Sequence, residues 1–254
     1  MWRLRPGAAA TGVWSGSGSR LLVLGIETAT AVAGVALVNE DGVAAARSVS
    51  GSRSHSVRLL PMIRDVLAEA GVRPRDLAGV AVSVGPGSFT GVRIGVVCAR
   101  TLARLWGLPL AAVATLEALA FPWAGSEALV IPMVTARRGE VYVGVYRCGP
   151  GRPEPVVSPA AVAPEAVPAL LAGLGGPLVA VGDGMEQCRA VLGGLAVREA
   201  PPVARAPRGD SVAQLGLWYL KEGLGADPLT VFPRYLRLPE AEMVWRRKHG
   251  EKLG

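Results

Sequence analysis

Apolar positions along the chain follow two rhythms that alternate: short continuous or every-other-residue runs, and longer stretches spaced three and four apart. The run LLVLGIETAT reads as a buried strand. AVAGVALVNEDG and VAAARSVSG follow, with Asp41-Gly42 as a hairpin turn. SHSVRLLPMIRDVLAEAG then takes the helical rhythm, with Ser54 or Ser56 as N-cap and Gly71 just past its end. Strand AGVAVSV, the turn GPGSFTG, helix TGVRIGVVCARTLARLWG, strand LAAVAT and the short helix TLEALAFPW complete a first half.

The second half repeats that order. LVIPMVTA, EVYVGVYRCG and PVVSPAAVA predict three strands, PEAVPALLAGL a helix opened by proline, LVAVGDG a strand and glycine turn, MEQCRAVLGG a helix, LAVREA a strand and GDSVAQLGLWYLKEG a last helix. A duplicated βββαβαβα pattern predicts an α/β protein of the actin, Hsp70 and sugar-kinase class, two ribonuclease-H-like lobes with a cleft between them. The boundaries read as an extension over residues 1–20, a first lobe over 21–118, a second over 119–242 and a basic tail over 243–254. The extension, rich in Gly, Ser and Ala, reads as disordered, an expression remnant or a misplaced start, and its acid-free Arg content also suggests a weak organelle presequence.

Charge changes this picture less than its total suggests. Of the net +7, residues 1–20 and 246–254 each carry +3, so the body retains +1 and no nucleic-acid face is demanded of it. Half the residues are hydrophobic, yet no unbroken apolar run approaches the ~18 residues of a membrane span. Cys98, Cys148 and Cys188 are odd in number and widely spaced, which predicts core thiols in a reducing cytoplasm rather than disulfides or zinc.

Working members of this fold class hold phosphates with the first hairpin of each lobe, using an acid and glycines. Here the first hairpin offers Glu27 as a magnesium-directed acid but no glycine until Gly34, and the second offers Thr135 in place of a carboxylate, with Glu140 further along. Both clamps read as eroded. Two glycine turns keep alternatives open: GPGSFTG is either an anion cradle or a steric solution with Ser88 or Thr90 as helix cap, and Gly182-Asp183-Gly184 is either a site for an adenine edge or an ordinary turn. His55 and His249 are the two histidines, so no paired-histidine metal motif exists, and His55 reads as a surface or cap residue rather than a general base.

The first two helices carry more apolar surface than one core face requires. On the first, Leu59, Leu60, Met62, Ile63, Val66, Leu67 and Ala70 span an arc of about 160°; on the second, Val92, Ile94, Val96, Val97, Cys98, Leu102, Leu105 and Trp106 nearly surround the axis. Arg93, Arg100 and Arg104 alone interrupt them, either solvated or paired with acids of a partner. Either the smaller lobe hides these helices, or another polypeptide covers them as a helix pair completing a four-helix bundle. Leu59, Met62, Val66, Arg93, Val97, Arg100, Leu102 and Arg104 are the candidate contacts.

The set LGIETAT, RSHSVRLLPMIRDVLAEAG, VSVGPGSFTGVRIGV, LAAVATLEALA, ARRGEVYVGVY and PRYLRLPEAE resembles the TsaB (YeaZ) family from about Leu21 to Glu242. Glu27 stands where the family usually has aspartate, Thr135 where many members have aspartate, and the tails are unmatched. The resemblance implies a cytoplasmic, non-catalytic subunit that binds the paralogous catalytic subunit TsaD and the small ATPase TsaE. Their complex threonylcarbamoylates N6 of the adenosine next to the anticodon of tRNA, so the chain meets tRNA indirectly. It further implies that the first two helices form the TsaD interface and that free protein forms a homodimer through the same surface. No cofactor of its own is required, with weak ATP or ADP binding at Glu27, Gly182, Asp183 and Gly184 kept as an alternative. Rival readings are an autonomous ATPase or kinase of the same fold, a peptidase, and direct tRNA binding through the basic tails.

Overall fold

The computed structural model describes residues 21–51 and 55–236. Strands β1 (Val23–Glu27), β2 (Val32–Asn39), β3 (Gly42–Ser50), β4 (Gly79–Ser83) and β5 (Leu110–Val113) form the first sheet in the order β3-β2-β1-β4-β5. Strands β6 (Leu129–Thr135), β7 (Val141–Arg147), β8 (Glu154–Val162), β9 (Leu178–Val181) and β10 (Val197–Glu199) form the second as β10-β9-β6-β7-β8. Each sheet has an antiparallel three-strand meander followed by parallel strands added on the far side of its first strand. The two halves therefore share one topology, which is the duplicated actin and sugar-kinase class.

Helices α1 (His55–Glu69) and α2 (Phe89–Trp106) cover one face of the first sheet, burying Leu59, Ile63, Val66, Val92 and Val96 against Leu24, Ile26, Leu37 and Val82. Helix α1 ends as expected: Gly71 sits at φ 65°, Val72 N–H donates to the Leu67 carbonyl and Gly71 N–H to that of Ala68. Because α1 begins at His55, Ser56 lies inside it and is no cap; Ser54 lies outside the described residues. On the second sheet, α4 (Val167–Leu171) and α5 (Met185–Leu192) cover Ile131, Met133, Val143 and Ala180.

The two remaining helices correct the boundary expected between residues 118 and 119. Helix α3 (Thr115–Ala120) follows the first sheet in sequence, but Leu116, Leu119 and Ala120 pack on Val130, Val134 and Val179 of the second. Helix α6 (Gly209–Lys221) falls in the range assigned to the second lobe, but Val212, Ala213 and Leu215 pack on Val23, Val38, Ala81 and Val113 of the first. Together they form a middle layer between the sheets. Glycine permits the close seat of α6: a Cβ on Gly25 would stand 2.5 Å from Ala213 N, and one on Gly216 would overlap Ala81 Cβ. Residues 1–20 and 243–254, to which the sequence assigns an extension and a tail, lie outside the described residues.

Candidate functional site

The turn leaving β1 is the hairpin in which the sequence offers Glu27 as an acid. Glu27 is wholly buried there, and its Oε1 accepts from Ala29 N–H at 2.5 Å. Oε2 is also buried, and the buried hydroxyl of Ser83 on the adjacent strand β4 lies beside the carboxyl. Burial pushes the Glu27 carboxyl up to about 7, and the Ala29 amide pulls the other way.

The turn presses against the start of α2. Ser88 N–H donates to the Ala29 carbonyl at 2.7 Å, Thr28 Oγ1 donates to the Gly91 carbonyl at 2.8 Å, and Ser88 Oγ caps the helix by accepting from Gly91 N–H at 3.2 Å. A Cβ on Gly91 or Gly95 would overlap Thr28. The GPGSFTG glycines thus let the helix touch the chain's own hairpin turn, and the amides of Ser88 and Gly91 already have acceptors. In the second lobe the GDG turn is used similarly. Gly184 N–H donates to the Met133 carbonyl at 3.1 Å, a Cβ on Gly182 would overlap that carbonyl, and Asp183 Oδ1 accepts from Thr135 N–H at 2.9 Å. Glu27 and Asp183 therefore stabilise turns of this chain, and no group of three or more potential metal ligands occurs among the described residues.

His55, expected near the surface, is buried, with Nε2 2.9 Å from the Thr30 carbonyl to which it donates. Its position packs the α1 terminus onto the same hairpin. Cys148 and Cys188 are buried and Cys98 half-buried, in keeping with core thiols; burial pushes the Cys98 thiol up to about 11.

The outer layer of α1 and α2 divides the candidate contacts. Leu59, Met62 and Val66 are 2%, 9% and 0% exposed, so they face their own core and are corrected out of the contact set. The large apolar side chains that α1 leaves in solvent are Val57 and Leu60, at 75% and 56%. On α2, Val97 and Leu105 are exposed at 60% and 75%, while Leu102, with Ile94 and Cys98, is half-buried beside them.

The arginine stripe has a role that periodicity did not reveal. Residues 226–236 run from a bridge with Leu110 along α2 to the GPGSFTG turn, where Arg234 N–H donates to the Val84 carbonyl at 2.7 Å. Arg100 donates to the carbonyls of Pro228 and Leu229 at 3.0 and 3.2 Å and lies 4.6 Å from the Phe232 ring. Arg93 donates to Tyr235 Oη at 2.9 Å and lies 3.7 Å from the Phe89 ring, which in turn packs on Tyr235. Arg104 is exposed.

Sequence reasoning missed a buried pair in the middle layer. Tyr219 Oη on α6 donates to the Glu117 carboxylate on α3 at 2.7 Å, and Arg152 lies 5.5 Å from the neighbouring Trp218 ring. Desolvation raises the Glu117 carboxyl, offset in part by Tyr219 and by the charge of Arg152. The signal was a lone acid within TLEALA, a segment with no other reason to hold a charge.

Comparison with known proteins agrees with this arrangement. Residues 49–188 match the family model described as TsaD, tRNA N6-adenosine threonylcarbamoyltransferase. The chain is 34% identical over 228 residues to the tRNA threonylcarbamoyladenosine biosynthesis protein TsaB of Bacillus subtilis, covering 89% of this chain and 98% of that one. It is also 34% identical over 236 residues to TsaB of Escherichia coli, covering 91% and 99%. The solved structure of YeaZ from Pseudomonas aeruginosa superposes with a TM-score of 0.73 at 28% identity, over 85% of this chain and 99% of that one. With a third of its residues identical to these relatives over nearly their full length, the chain belongs to the TsaB (YeaZ) family.

Proposed function

We propose that this chain takes part in tRNA threonylcarbamoyladenosine biosynthesis as a non-catalytic subunit that binds and positions a TsaD-type catalytic subunit, with a TsaE-type ATPase in the same assembly. The observation that carries this reading is the exposed apolar set Val57, Leu60, Val97 and Leu105 on the two helices of one outer layer. Side chains of this size left in water favour a covering partner by roughly 25 cal/mol per Å² removed from solvent. The two turns support the non-catalytic part: Glu27 and Asp183 each spend a carboxylate oxygen on a backbone amide of this chain, and on this reading nucleotide and metal belong to the partner subunits. Contact with tRNA is then indirect, through the assembled complex.

Replacing Val97 by Glu tests the reading, because it would place a carboxylate in a desolvated apolar contact. The expected outcome is loss of binding to a TsaD-type subunit by calorimetry, loss of modification of unmodified tRNA in the reconstituted assay, and an unchanged thermal transition of the free chain. Wild-type affinity in the variant would refute it.

A further inference from the structure

Helix α2 carries Arg93, Arg100 and Arg104 and no acid over its 18 residues, a local charge of +3 on a body that is nearly neutral. Among the described residues none of the three forms an ion pair with a carboxylate; Arg93 and Arg100 are held by a phenol, two carbonyls and aromatic faces, which leave their charge uncompensated. Arg93 and Arg104 are exposed at the edge of the face that also presents Val97 and Leu105. The acids of α1 are already engaged: Glu69 with Arg47, and Asp65 with its neighbour Arg64.

Resting on the partner-binding reading above, we infer that the occupant of this face is a chain whose contact surface is acidic, and that the α2 arginines select it over a second copy of this protein. The physical reason is symmetry. A two-fold pair of identical chains places the same patch against itself, so the uncompensated arginines of one copy meet the cationic field of the other. Like charges brought together at a contact suppress the wrong partner, whereas an acidic counter-surface gains from the same groups and is steered toward them. The clamped Arg93 is the better selector because its stack on Phe89 and bond to Tyr235 fix its position before any partner arrives. The apolar residues then supply affinity for either occupant, and the arginines decide between them.

The test compares two equilibria of the full chain by sedimentation velocity and calorimetry: self-association, and binding to a purified TsaD-type subunit. Raising NaCl from about 50 to about 500 mM screens exposed charges, so self-association should tighten by about threefold or more while the heterologous complex weakens. Arg104→Glu should weaken the heterologous complex about tenfold. The double change Arg93→Gln with Arg104→Gln should tighten self-association at low salt and flatten its salt dependence. Where the wild-type chain stays monomeric throughout, the heterologous arm decides. A heterologous complex indifferent to both salt and Arg104→Glu overturns the inference, as does self-association with the same salt response in wild type and the double variant. Val97→Glu separates the two readings. If it leaves the heterologous complex intact, the face itself is wrongly assigned; if it disrupts the complex while the arginine changes do nothing, the charge selection alone fails.

Discussion

Replacing Glu27 by Gln removes the carboxyl at the buried end of β1 while keeping an oxygen for the Ala29 amide. The wild-type carboxyl is pushed from 4.5 up to about 7 by burial, so the native chain holds its proton over a range in which the unfolded chain releases it. The unfolded state then binds fewer protons than the native state, and stability falls as pH rises through that window. The contribution is present in full below 4.5 and is lost once pH passes about 7. Each tenfold difference in proton affinity between the two states corresponds to about 1.4 kcal/mol, so the wild type should lose on the order of 2–3 kcal/mol relative to the Gln variant between about pH 5 and about pH 8. Urea unfolding of both proteins across that range measures the difference directly. Hydrogen exchange in the first turn of α2 should follow the same curve, because Ala29 bonds both Glu27 and Ser88. Parallel stability profiles for the two proteins would refute the argument, since they would mean that the carboxyl is already ionised or already solvated in the native state.

Two further outcomes follow from the packing. Gly95→Ala places a methyl group against Thr28 Oγ1 and should cost about 1–3 kcal/mol, while the companion change Thr28→Ala, which clears that space, should restore part of the loss in the double variant; additive losses would exclude the contact. Tyr219→Phe leaves the Glu117 carboxylate without its donor in the middle layer and should cost roughly 1.5–3 kcal/mol in chemical denaturation; an unchanged midpoint would show that the pair contributes nothing.

The order of strands and helices was legible because alternation and helical spacing are local properties, and turns such as Asp41-Gly42 and the cap at Gly71 mark their ends. Which sheet a helix covers is not local. The periodicity of α6 announces an apolar stripe without naming its partner; its glycines, Gly209 and Gly216, were the sole hint that a backbone passes close by. The partner face was legible in kind but not residue by residue. An arc wider than one face can be read at either its centre or its margins, and the centre, Leu59, Met62 and Val66, belongs to the lobe itself. The arginine contacts were beyond reach for a related reason: Arg93 and Arg100 find Tyr235 and Pro228 across 142 and 128 residues of chain.

The exchange of α3 and α6 between the halves has a consequence for dissection of the protein. A cut at the sequence midpoint gives an N-terminal fragment whose sheet lacks the helix that closes one side, and a C-terminal fragment with the complementary defect. Neither piece is a portable module, and each is a poor candidate for separate expression. Mixed together, they should instead rescue one another, so that the smallest autonomous unit is the interlocked pair.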